Sequence, residues 1–213
     1  MNGWYDFNKL NLPNKLTLFR ILLLPLLMLT LLSETLWGKY LAWFIFVLAA
    51  LTDYWDGYIA RKYNLITSFG KVMDPLADKL LMTTVFISFV ELDFVPAWMV
   101  ILIIGREFAI TGLRVLAANQ GNIIAASRSG KNKTISQIGA ILVILTVNVI
   151  VGSLQAWAPP WEKTLAALGN IGEIFINIII YSPYICMAVA TILSLYSGLE
   201  YLVKNKKIFA REK

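Results

Sequence analysis

The sequence predicts an all-α integral membrane protein with six transmembrane helices and a short interfacial segment at its N-terminus. Three observations lead there. The apolar content is 58% and the mean hydropathy +0.68, well above an ordinary water-soluble domain. The apolar residues gather in windows close to the ~20 residues a helix needs to cross a bilayer. The connections between windows are short and polar or carry Pro and Gly. The 213 residues show no internal repeat or flexible linker, and they suit one domain, 1–213.

The six windows are 16–36, 41–60, 75–92, 96–117, 135–153 and 172–203. No small-x-small cleavage site follows the first, and five more spans come after it, so it reads as a span rather than a signal peptide. Ahead of it, segment 4–10 (Trp-Tyr-Asp-Phe-Asn-Lys-Leu) alternates aromatic and polar residues, as a short element lying along the membrane interface does. A disordered tail is the alternative there.

Six spans put both termini on one side of the membrane. That side receives Lys9, Lys15, Arg20, Arg61, Lys62, Lys71, Arg128, Lys131, Lys133 and the basic residues of 204–213, whereas the opposite loops hold only Lys39 and Lys163. The positive-inside rule then makes the termini cytoplasmic, in a cytoplasmic (inner) membrane. Trp37, Trp98, Trp157 and Trp161 fall near the outer ends, where an aromatic belt is expected. The net charge of +6 is thus a matter of topology, and no nucleic-acid partner is expected.

Composition also narrows the chemistry. The chain has no histidine and a single cysteine, Cys186. A Ser-His-Asp triad, an imidazole base, a His-ligated zinc and a disulfide framework are all excluded. Catalysis must rest on carboxylates, lysine, arginine, tyrosine or a metal held by oxygen.

Four aspartates stand out. Asp53 and Asp56 are three apart near the cytoplasmic end of the second span, and Asp74 and Asp78 are four apart at the start of the third. Both spacings place the two carboxylates on one helix face, and the short connection lets all four converge. Two carboxylates about 5 Å apart repel by roughly 3 kcal/mol at an effective dielectric near 20. A divalent cation reverses the sign of that energy. With no His or Cys to offer, the oxygen donors favour Mg2+, Mn2+ or Ca2+ over zinc, and four carboxylates suit two ions. Gly57 and Ala60 leave room for a phosphate or a planar group near the backbone, Gly70 suits a sharp turn into the third helix, and Arg61 and Lys71 add positive charge for phosphate oxygens. Taken singly, each has a plainer reading. Asp74 before Pro75 could be a helix N-cap, Gly57 and Ala60 could serve helix packing, and Asp53 could be a solvated charge at a helix end.

Taken as a set, these residues resemble the signature of the CDP-alcohol phosphotransferases, D-x-x-D-G-x-x-A-R, eight residues, then G-x-x-x-D-x-x-x-D. Asp53, Asp56, Gly57, Ala60, Arg61, Gly70, Asp74 and Asp78 fill every fixed position. The resemblance implies a six-span fold, commonly a homodimer, in which the four aspartates bind two divalent ions (Mg2+, or Mn2+) on the CDP diphosphate. It implies that Asp78 is also the base for the acceptor hydroxyl. Asp56, Gly57, Ala60, Arg61 and Gly70 would line the nucleotide pocket.

The acceptor must be read elsewhere. Arg106 and Arg114 lie in the fourth span, and Lys131 and Lys133 open the fifth. Arginine inside a span usually marks a site or a partner, and together these cations suit an acceptor with its own phosphate. The plainer alternatives are pairing of Arg106 with Glu107 or an aspartate, and simple positive-inside lysines. The R-E-x6-L-R and G-K-x-K-T patterns, with the opening 12–20 (Leu-Pro-Asn-Lys-Leu-Thr-Leu-Phe-Arg), are similar to the bacterial phosphatidylglycerophosphate synthases within that family. That resemblance implies that Asn14, Thr17 and Arg20 frame the site. It implies that Arg106, Arg114, Lys131 and Lys133 bind the phosphate of glycerol 3-phosphate, with CDP-diacylglycerol and membrane lipid as the other partners. Inositol phosphate or phosphatidylglycerol as acceptor, or divalent-cation transport as a different class, are the competing readings. Glu173, Asn148 and Asn177 carry no assignment.

Overall fold

The computed structural model describes residues 11–63, 67–119, 128–158 and 160–209. Within helices, the side chains of Asp56, Ala60, Arg61 and Lys71 lie outside this description, as does the interfacial segment 4–10. The described residues form seven helices and no strand: α1 Leu12–Leu31, α2 Leu36–Lys62, α3 Ser68–Glu91, α4 Ala97–Asn119, α5 Arg128–Trp157, α6 Trp161–Ala166 and α7 Asn170–Phe209.

The chain divides into two compact units, Met1–Ser88 and Phe89–Lys213. In the first, α1 packs along α2. The chain turns into α1 at Asn11, whose side chain accepts from the Asn14 N–H at 3.2 Å, with Pro at the first turn where its missing N–H is harmless. Thr35 caps α2 in the same way through Gly38. Along α1 the buried residues include Asn14, Thr17, Arg20, Leu24, Leu27 and Leu31, three or four apart, with Pro13 and Thr30 beside them. One continuous helix face therefore grades from polar to apolar. In the second unit α7 packs against α4, α5 and α6. Ile141, Ile144, Leu145 and Met187 are fully buried there.

Among the described residues, four helices contain stretches long and apolar enough to cross a membrane, at Leu12–Leu31, Leu36–Ile59, Ser129–Trp157 and Asn170–Lys206. The remaining two long helices, α3 and α4, run 24 and 23 residues. They carry Asp74, Asp78 and Lys79, and Arg106, Glu107 and Arg114, the residues on which the site reading depends.

Three expectations change. Asp74 is not an N-cap: α3 begins at Ser68, with the Thr67 hydroxyl accepting from the Gly70 N–H at 3.0 Å, so Asp74 and Pro75 fall inside the helix. Gly70 accordingly makes no turn. It is buried in the first turn of α3, and a Cβ there would lie 3.0 Å from Asn14 Oδ1. Trp161 is buried at the start of α6, whereas Trp37, Trp98 and Trp157 are exposed as a belt requires.

Candidate active site

Within the first unit, α1 reaches both pairs of aspartates. Arg20, fully buried, donates from Nη1 to Asp53 Oδ1 at 2.6 Å. One turn earlier, the Thr17 hydroxyl lies 2.7 Å from Asp74 Oδ1 and 3.1 Å from the Pro13 carbonyl. A hydroxyl has one proton, and the carboxylate, closer and charged, is the stronger acceptor. One turn earlier still, Asn14 Oδ1 accepts from the Thr67 hydroxyl at 3.0 Å, and Thr67 accepts from Gly70 N. Asn14, Thr17 and Arg20 thus hold, in order, the start of α3, Asp74 on α3 and Asp53 on α2.

Asp78 follows Asp74 by one turn of α3 and is exposed. Gly57, one turn after Asp53, is half-buried. Among the described residues no three Asp, Glu, Cys or His side chains close into a group able to hold a metal ion. The side chain of Asp56, the remaining carboxylate of the motif, lies outside the described residues. The donor type nevertheless fits a hard divalent cation, because Asp53 and Asp74 each commit one oxygen to a partner and keep a second outside that contact. Asp74 Oδ2 lies over Gly70, 3.5 Å from where a Cβ would be.

The second unit gathers the cations of α4 and α5. Arg106 Nη1 donates to Glu107 Oε1 at 3.0 Å, and Nη2 donates to Ser197 Oγ on α7 at 2.9 Å. Lys133, buried on α5, donates to the same Glu107 oxygen. Two turns along from Arg106, exposed Arg114 sits 5.5 Å from the centre of the Tyr201 ring. Lys131 is exposed and does not share the face of Lys133, since residues two apart on a helix point in different directions. The two cations bridged by Glu107 leave one net positive charge, and Arg114 adds another. A surplus of positive charge of this kind can accept an anion.

Residues 10–171 match the model of the CDP-alcohol phosphatidyltransferase family. The chain belongs to that family. A CDP-diacylglycerol–glycerol-3-phosphate 3-phosphatidyltransferase of Bacillus subtilis is 49% identical over 151 residues, 65% of this chain and 78% of that protein. One of the same name from Rickettsia felis is 36% identical over 199 residues, 93% and 97% of the two chains. A third, from Treponema pallidum, is 39% identical over 127 residues, 60% and 58% of the two.

Against this family background, sequence reasoning missed several contributors. Thr67, Ser197, Gly198 and Tyr201 touch residues it singled out. Ser194, Ser197, Gly198 and Tyr201 lie on one buried face of α7. Small and polar residues at three- and four-residue spacing in an apolar helix are a visible signal, though it does not say what they face. Asn148 is buried in α5, Asn177 is exposed, and Glu173 sits in the first turn of α7, where a carboxylate suits the helix dipole.

Proposed function

We propose that this protein transfers the phosphatidyl group of CDP-diacylglycerol to the hydroxyl of sn-glycerol 3-phosphate, giving phosphatidylglycerophosphate and CMP in phospholipid biosynthesis. The observation that carries the reaction class is the fixing of Asp53 and Asp74 by Arg20 and Thr17 in a chain of this family. The acceptor follows from the basic cluster on α4 and α5, and from the shared name of relatives such as that of Rickettsia felis, which spans nearly the whole chain.

The roles divide along the chain. Asp53, Asp56, Asp74 and Asp78 would hold the metal, Mg2+ or alternatively Mn2+, with two ions for four carboxylates. When bound, such ions neutralise the diphosphate of the CDP group. Gly57, Ala60, Arg61 and Gly70 admit the nucleotide. Asp78, exposed on α3, takes the proton of the acceptor hydroxyl as its oxygen forms a new bond to the phosphorus bearing diacylglycerol. The bond from that phosphorus to the CMP oxygen breaks, and CMP leaves with the electron pair. Arg106, Lys133 and Arg114, with Lys131 nearby in sequence, bind the acceptor's phosphate. No protein nucleophile is needed.

The membrane reading completes the proposal: α1 to α5 and α7 cross the bilayer, with both termini cytoplasmic, in a cytoplasmic membrane, as a homodimer.

Purified protein supplied with CDP-diacylglycerol, Mg2+ and glycerol 3-phosphate should release CMP, and withholding metal or acceptor should stop it. CMP release with inositol phosphate or phosphatidylglycerol but not glycerol 3-phosphate would replace the acceptor and keep the family chemistry.

A further inference from the structure

Arg106 does not hold its place through α4 alone. The hydroxyl of buried Ser197 takes Nη2, and the next residue, Gly198, lies directly beneath the arginine stem. A Cβ on Gly198 would meet Arg106 Cγ at 2.9 Å, Nε at 3.2 Å and Cδ at 3.7 Å. Because Cγ is near the root of the side chain, it cannot swing clear as a flexible tip could. A single added methyl displaces the whole guanidinium. Arg106 Nε is itself buried and has no hydrogen-bond partner among the described residues. A buried donor left in that state is expensive unless something arrives to accept from it.

We propose that Gly198 and Ser197 are positioning residues for the acceptor: the bare backbone of Gly198 seats the Arg106 stem on α7, and Ser197 fixes its Nη2, so that the guanidinium stands where the acceptor's phosphate is bound. This rests on the reading of Arg106 as an acceptor ligand. Neither residue touches substrate. The rival explanation is helix packing, which small residues in spans commonly serve. Packing predicts a loss of stability shared by every measurement. A seat predicts a change in acceptor affinity that passes through Arg106.

The full-length protein in detergent separates the two. Gly198→Ala should raise KM for glycerol 3-phosphate about tenfold while leaving KM for CDP-diacylglycerol and the melting temperature near those of the unaltered protein. Ser197→Ala should act in the same direction, and Ser197→Thr, which keeps the hydroxyl, should restore the original KM. In an Arg106→Ala background, Gly198→Ala should add nothing further. A Gly198→Ala effect that persists without Arg106, or that weakens both substrates equally, overturns the seat. Should Gly198→Ala fail to fold, the Ser197 pair decides: an unchanged KM for glycerol 3-phosphate in Ser197→Ala overturns the proposal. If Arg106→Ala alone leaves that KM unchanged, it is the acceptor reading of Arg106 that falls.

Discussion

Arg20 Nη1 lies 2.6 Å from Asp53 Oδ1, joining a guanidinium with no exposed surface to a carboxylate whose side chain is 45% exposed. The cation is the sequestered partner and the anion keeps access to solvent. That asymmetry suits a carboxylate with a second task. Arg20→Ala should lower kcat/KM for CDP-diacylglycerol about tenfold or more, and Arg20→Lys, which keeps the charge but loses the planar fork, should fall between. Steady-state CMP release checks the order.

The Thr17 contact makes a different prediction, about metal dependence. Residues that orient a ligand typically change metal affinity about 10–100-fold when removed. Thr17→Val keeps the shape and deletes the donor, so the Mg2+ concentration for half-maximal activity should rise about tenfold. Thr17→Ser should return it. A Mg2+ titration with unchanged midpoint in the valine variant would separate Asp74 from the metal.

Much of this frame was legible in the sequence, and the misses have physical causes. Apolar windows located the long helices but not their ends. A window marks only residues that want hydrocarbon, whereas α5 begins at Arg128 with a polar first turn and α3 at Ser68 behind a Thr67 cap. The six-residue α6 is too short to show a period, and read as a loop. Gly70 falls not at a turn but in the first turn of α3, where its bareness matters against Asn14. The aspartates stand out in the sequence because the repulsion of converging carboxylates demands an explanation. Ser197 and Gly198 were not, because what they do depends on which arginine lies above them.

Asp78→Asn tests the proton step. The amide cannot accept the hydroxyl proton, so turnover should fall about 10²–10⁴-fold. Binding of a CDP nucleotide, followed by calorimetry in the presence of Mg2+, should largely survive. Full activity in this variant would remove Asp78 as the base.

Arg114→Ala tests the acceptor cluster from its exposed end. Removing this cation should raise KM for glycerol 3-phosphate about tenfold and leave KM for CDP-diacylglycerol within about twofold. Equal weakening for both substrates would move Arg114 out of the acceptor site.

Glu107 has a consequence for turnover. It already occupies both Arg106 and Lys133, so at the proposed acceptor site an incoming phosphate would exchange places with a resident anion instead of filling a vacant basic hole. The net grip is a difference between two sets of ion pairs. That matters for a product which keeps the acceptor's own phosphate monoester and would otherwise be held as firmly as the substrate. On that proposal, the carboxylate would re-form both contacts as phosphatidylglycerophosphate departs, and the returning anion would help expel the product into the lipid phase.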